Sequence, residues 1–198
     1  MGRYDEIIRD RLVRTRDAVD RFLTERSGDL SAFVELVIDV YCSGNKVLIF
    51  GNGGSAAEAQ HIAAEFVNRM VIDRAPLPAI ALTTDTSVLS SVGNDYSFDQ
   101  VFAKQVEALG QAGDLAWGLS TSGTSKNVNL ALEVAKDKGL KRAAMAGRPG
   151  SPVGGLCDVC MWVDAMTTPL IQEVHLAAAH VICELVEAEL FGEGRRGR

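Results

Sequence analysis

Two short apolar runs, Lys46-Val-Leu-Ile-Phe50 and Asp114-Leu-Ala-Trp-Gly-Leu119, each lead into a small, hydroxyl-bearing loop and then into a segment with helical patterning. The loops are Gly51-Asn52-Gly53-Gly54-Ser55 and Ser120-Thr121-Ser122-Gly123-Thr124-Ser125. A buried strand followed by such a turn and a helix is a ready anion site. The first amides of the helix are unpaired, the helix start carries partial positive charge, and Ser and Thr hydroxyls add donors. Two such units in one chain point to a phosphorylated ligand.

The same alternation extends along the sequence. Tyr4 to Glu25 places Ile7, Ile8, Leu12, Val19, Phe22 and Leu23 among charges, the pattern of an amphipathic helix. A second helix is predicted from Asp29 or Ser31 to Tyr41, stopped at Gly44-Asn45. Strands are predicted over 46–50, 79–83, 115–119, 141–146 and 157–163. Helices are predicted over 55–70, 87–92, 98–109, 125–138 and 169–191, with Gly93-Asn94-Asp95 as a loop. Strands that alternate with helices give an α/β sandwich around a parallel sheet built from right-handed crossovers. Ligands in such sheets collect at the carboxyl ends of the strands, where both hydroxyl loops lie. The N-terminal helices and the closing helix carry more apolar face than one subunit requires, which predicts packing against a second copy.

With 198 residues, 47% hydrophobic and 23% charged, the chain has the composition of a globular protein with one substantial core. A net charge of -6 argues against a nucleic-acid footprint spread over the surface. No charged-then-apolar leader and no stretch long enough to span a bilayer is present, which predicts a soluble, cytoplasmic protein. The final residues, 192–198 with Arg195-Arg196-Gly197-Arg198, read as a solvated, disordered tail. Cys157 and Cys160 have redox or metal spacing but lack a second pair. On a strand they would point to opposite faces, so they read as buried small hydrophobes in a reducing compartment.

Two polar clusters interrupt the apolar helices. His61 and Glu65 are four residues apart on one face of the helix after Ser55, and Arg69 continues that face. Such a pair can bind a divalent metal, act as an acid–base couple, or make a surface contact. Gln172, Glu173, His175 and His180 lie on the closing helix. His175 is about 60° from Gln172 around the axis and His180 about 80° on the other side, so geometry alone does not choose between the two histidines.

The stretches Gly51-Asn-Gly-Gly-Ser-Ala-Ala-Glu-Ala-Gln-His61-Ile-Ala-Ala-Glu65, Leu77-Pro-Ala-Ile-Ala-Leu-Thr-Thr-Asp85, Gly93-Asn-Asp-Tyr96, Phe102 to Leu109, Ser120-Thr-Ser-Gly123 and Ile171-Gln-Glu-Val-His175 follow one another in the order found in a known family. Over about residues 5–191 the chain resembles the sugar isomerase (SIS) domain proteins, and within them the phosphoheptose isomerases. The resemblance implies a three-layer, flavodoxin-like sandwich with a five-stranded parallel sheet. One SIS domain would span 1–198, with N-terminal helices over 1–44 joining an oligomeric bundle and the α/β core and closing helix over 45–191. It implies a homotetramer with active sites at subunit interfaces, and one Zn²⁺ per subunit on His61, Glu65, Gln172 and His180, which selects His180 over His175. It places a sugar phosphate against Ser55, Ser120, Thr121, Ser122 and Ser125, with Asn52, Gly53, Asn94 and Asp95 near the hydroxyls. Gly54, Glu65, Arg69 and Gln172 complete the substrate-contacting set. Departures stand at Thr124, Pro169, Leu170 and the segment Met145 to Val153, and bear on substrate preference.

The implied activity is conversion of sedoheptulose 7-phosphate to D-glycero-D-manno-heptose 7-phosphate, the first step toward activated heptoses. An aldose–ketose isomerisation moves a proton between adjacent carbons through an enediol, and Glu65 with His180 would form the acid–base couple. The alternative is a non-catalytic tetramer of the same fold that binds a replication initiator protein. The retained set His61, Glu65, Gln172 and His180 favours the enzyme. A sugar-phosphate-sensing regulator is a third possibility, disfavoured because no DNA-binding segment is appended.

Overall fold

In a computed structural model, residues 2–192 are described; the predicted tail 192–198 lies outside them except for Gly192. Five strands form one all-parallel sheet: β1 (Val47–Gly51), β2 (Ala79–Ala81), β3 (Leu115–Ser120), β4 (Lys141–Ala146) and β5 (Val159–Trp162), hydrogen-bonded in the order β2-β1-β3-β4-β5. Around it lie α1 (Asp5–Cys42), α2 (Gly54–Val67), α3 (Thr86–Asp95), α4 (Ala103–Leu109), α5 (Lys126–Asp137) and α6 (Thr168–Phe191). Alternate residues of each strand feed opposite faces, as the two-residue strand period requires. Val47, Ile49, Leu115, Trp117, Ala143 and Met145 pack with α1, α2 and α6. Leu48, Phe50, Ala116, Ala144 and Ala146 pack with α4 and α5. The predicted three-layer parallel sandwich is therefore the observed one.

Several predicted boundaries shift. The two N-terminal helices are one continuous helix of 38 residues, about 57 Å long. Ser27-Gly28 does not break it, and a side chain at Gly28 would meet nothing within 4 Å. Its burial is concentrated in the C-terminal part, through Phe33, Val34, Val37, Val40 and Tyr41, with Phe22 also buried, whereas Ile7, Ile8, Leu12 and Leu23 are exposed. The helix predicted to run to Met70 ends at Val67, so Arg69 leaves the His61/Glu65 face and sits in the following loop. Asn94 and Asp95, predicted in a loop, form the last turn of α3. The helix over 98–109 divides into a 3-10 turn, Phe98–Gln100, and α4. The strand predicted from Cys157 starts at Val159, leaving Cys157 at the end of a 3-10 turn, Pro152–Leu156. Cys157 and Cys160 consequently pack half-buried against the same core cluster, not on opposite faces.

Two buried polar side chains carry opposed electrostatic costs. His175 on α6 is 1% exposed, and neither ring nitrogen has a hydrogen-bond partner. Desolvation by burial pushes its pKa down to about 4. Glu58 on α2 is also buried, and desolvation, opposed by the Ser55 hydroxyl, pushes its pKa up to about 7. Between about pH 4.5 and 6.5 the unfolded chain holds a proton on His175 that the folded one lacks, so this group's contribution to stability falls as pH falls. Glu58 does the reverse: folded protein holds the proton, and its contribution falls as pH rises. The two slopes, about 1.4 kcal/mol per pH unit each, offset one another. In urea unfolding at pH 5.0 and 6.0, Glu58→Gln is expected to gain stability with rising pH and His175→Leu to lose it, each more steeply than the wild type.

Candidate active site

In the strand order 2-1-3-4-5 the crossovers change direction between β1 and β3. The chain leaving β1 turns into α2 on one face, and the chain leaving β3 turns into α5 on the other. The two hydroxyl loops therefore flank one crevice. They are joined by a reciprocal amide pair: Asn52 Nδ2 donates to Asn127 Oδ1 at 2.9 Å, and Asn127 Nδ2 donates to Asn52 Oδ1 at 2.8 Å. Asn52 thus faces Asn127, a buried residue that the sequence reading did not single out.

The second loop is ordered by its own hydroxyls. Ser120 Oγ donates to Ser125 Oγ at 3.0 Å and accepts from the Gly123 amide at 3.1 Å. Ser122 Oγ accepts from the Thr124 amide and hydroxyl at 3.2 and 3.0 Å. Gly123 has φ +66°, a conformation that disfavours any side chain. A 240 Å³ cavity opens beside this loop, lined by Thr121, Ser122, Thr124, Arg148, Thr168 and Ile171, among others. Arg148 and Thr168 were not among the predicted site residues. The signal for Arg148 was present, since it follows the carboxyl end of β4, one strand over from the switch point.

Helices α2 and α6 run side by side in the same direction and bring the polar clusters together. At their starts, Gln172 Nε2 reaches Ser55 Oγ at 3.4 Å, and a Cβ on Gly54 would stand 2.5 Å from that same nitrogen. About two turns further on, His61 Nε2 lies 2.7 Å from His180 Nε2 and 3.5 Å from Glu65 Oε1. The structure thus gathers His61, Glu65 and His180, sets Gln172 against Gly54 and Ser55, and buries His175 away from them. Glu173 faces α1 instead, accepting from Arg11 Nη2 at 2.6 Å and Thr15 Oγ1 at 2.7 Å. Asn94 and Asp95 are exposed and bonded to each other at 2.8 Å. Arg69 is exposed.

Two imidazole nitrogens and a carboxylate oxygen are a donor set suited to Zn²⁺. Among the described residues no three His, Cys, Asp or Glu side chains stand preassembled around a common ion position. At 2.7 Å the two nitrogens are closer than the roughly 3.3 Å of a tetrahedral pair, so the present arrangement is not itself a ligating one. The chemistry of the donor set fits the ion.

The sheet thus carries paired hydroxyl loops at its switch point with a His/Glu/His group beside them. The SIS domain family profile matches residues 13–147. Phosphoheptose isomerase of Citrifermentans bemidjiense is 50% identical over 177 residues, covering 87% of this chain and 92% of its own. The solved phosphoheptose isomerase GmhA from Neisseria gonorrhoeae superposes with a TM-score of 0.87 at 38% identity, covering 92% of this chain and 98% of its own. That from Francisella tularensis gives 0.88 at 33%, covering 94% and 98%. The chain belongs to the phosphoheptose isomerase family within the SIS domain proteins.

Gly54 has a specific consequence for this site. Gly54→Ala would push the Gln172 amide, the free end of a flexible side chain, off Ser55 while leaving the backbone in place. The expected outcome is a fall in turnover of about tenfold or more with little change in melting temperature, measured by steady-state kinetics and calorimetry.

Proposed function

We propose that this protein is an aldose–ketose isomerase that converts sedoheptulose 7-phosphate to D-glycero-D-manno-heptose 7-phosphate. The observation that carries the reading is the meeting of His61, Glu65 and His180 next to two hydroxyl loops at a sheet switch point, in a chain half identical to a phosphoheptose isomerase over most of its length. The loop 120–125, with Ser55, would hold the phosphate through amides and hydroxyls, and Arg148 would add charge at the cavity rim. With the phosphate anchored, the other end of the sugar extends toward the carboxylate and imidazoles between α2 and α6.

Glu65 and His180 divide the proton work. One removes a proton from C1 of the ketose, the other moves the hydroxyl proton from O1 to O2, and return of a proton to C2 completes the aldose. The Zn²⁺ proposed here would be held by His61, Glu65 and His180, with Gln172 as fourth donor. It would polarise the sugar oxygens and stabilise charge on the enediolate. Glu65 would then serve both as a donor to the ion and as a proton carrier, and ligation would weaken it as a base.

The identity to catalytic relatives favours this reading over the initiator-binding one. Appearance of the aldose, loss of turnover after thorough chelation and its return with Zn²⁺ are expected. Glu65→Gln and His180→Ala should each lower kcat by about 10²–10⁴-fold. Near wild-type turnover in either variant would exclude this couple.

A homotetramer with active sites between subunits is the proposed assembly. Its support is the apolar stripe of α1, where Ile8 is 54% and Leu12 64% exposed in the single chain. Ile8→Asp with Leu12→Asp is expected to shift the light-scattering mass from tetramer to a smaller species. No helix of the described residues is long and apolar enough to cross a membrane, which is consistent with the proposed cytoplasmic location.

A further inference from the structure

The loop that follows α2 is organised by a buried ion pair outside the group just described. Arg74 Nε donates to Glu187 Oε2 at 2.8 Å, and both side chains are 1% exposed. The Glu187 carboxylate also accepts the backbone amides of Met70, Val71 and Ile72 at 2.9, 2.6 and 2.5 Å. Burial works to raise its pKa, but these amides and Arg74 outweigh that and hold it below the usual carboxylate range, so the charge persists. Two further bonds from Arg74 go to the end of α2, Nη2 to the Glu65 carbonyl and Nη1 to the Phe66 carbonyl, both at 2.9 Å, and Nη1 also donates to the Ala75 carbonyl at 3.0 Å. These are carbonyls that a helix end leaves unpaired, and a cation there also complements the helix dipole.

A buried ion pair is weak evidence of stabilisation, because apolar replacements of similar volume are often neutral or better. Its consequence here is geometric. Helix α2 carries His61 and Glu65; helix α6 carries His180 and, seven residues on along the same face, Glu187. Arg74 touches the backbone of Glu65 itself and links it to the helix that presents His180. We propose that Arg74 and Glu187 are positioning residues that fix the separation of Glu65 and His180 by locking the end of α2 onto α6. This inference rests on the isomerase reading for its effect on turnover, and on the structure alone for its effect on the histidines.

Arg74→Lys keeps a cation beside Glu187 but loses the fork onto the Glu65 and Phe66 carbonyls. Glu187→Gln keeps the shape and loses the charge, and it carries the same test if the lysine variant does not fold. The readouts are the imidazole ¹⁵N and ¹H signals of the three histidines in metal-free protein, and kcat and KM on sedoheptulose 7-phosphate. In a variant with wild-type circular dichroism, the His61 and His180 signals are expected to move while His175 stays. Turnover should fall about 10²-fold with KM held within about twofold. Unmoved His61 and His180 signals in a folded variant overturn the proposal, including the case where turnover and melting temperature fall together. A wild-type chain with no isomerase turnover removes the isomerase reading alone, and the ring signals still decide the positioning role.

Discussion

Crossover direction in a parallel sheet reverses once in this protein, between β1 and β3, and much of the site follows from that reversal. Right-handed crossovers that run in opposite directions from adjacent strands must place their helices on opposite faces. The loops at the two carboxyl ends then diverge, and a crevice opens that packing does not close. The starts of α2 and α5 flank this region, and the Asn52–Asn127 pair joins its two walls. The sheet thus creates a polar opening at the edge of an otherwise apolar core.

The second determinant is the parallel packing of α2 on α6. Each helix contributes polar groups on the face that meets the other, so the contact is expensive unless the groups satisfy one another. They do so in three tiers: Gln172 with Ser55, His61 with His180 and Glu65, and Glu187 with Arg74 and three amides. The upper tier lies by the hydroxyl loops and the lower one is sealed from solvent. The middle tier is partly exposed. His175, on the same helix, faces the sheet and is held neutral by burial, which separates it chemically from His180 although the two are five residues apart.

Helix α1 stands apart in its energetics. Its C-terminal part is core, and its N-terminal part is tethered to α6 by Arg11 and Thr15 on Glu173 while its apolar residues face outward. A stripe of this size on a lone chain is costly in water, and covering it by other copies is the physical basis for the proposed assembly.

Element type, strand–helix alternation and the two hydroxyl loops were legible in the sequence, because buried parallel strands and amphipathic helices leave strong local patterns. The pairings between α2 and α6 were legible only in part: i,i+4 spacing puts His61 beside Glu65, whereas nothing local brings His180 to them in place of His175. Helix ends were misjudged where tertiary packing overrode local signals. Gly28 is a weak helix former that α1 absorbs, and Arg69 falls outside α2 because the Arg74–Glu187 lock ends the helix two residues earlier. Asn127 and Glu187 carry no distinguishing local pattern, since their contacts are with residues 75 and over 110 positions away, whereas Arg148 had a local signal in its place after β4. By itself the sequence determined which segments are strands and helices, and that two hydroxyl-bearing loops follow strands at their carboxyl ends. The tertiary structure decided which histidine of α6 meets His61, because only the relative placement of α2 and α6 converts positions far apart in the chain into neighbours.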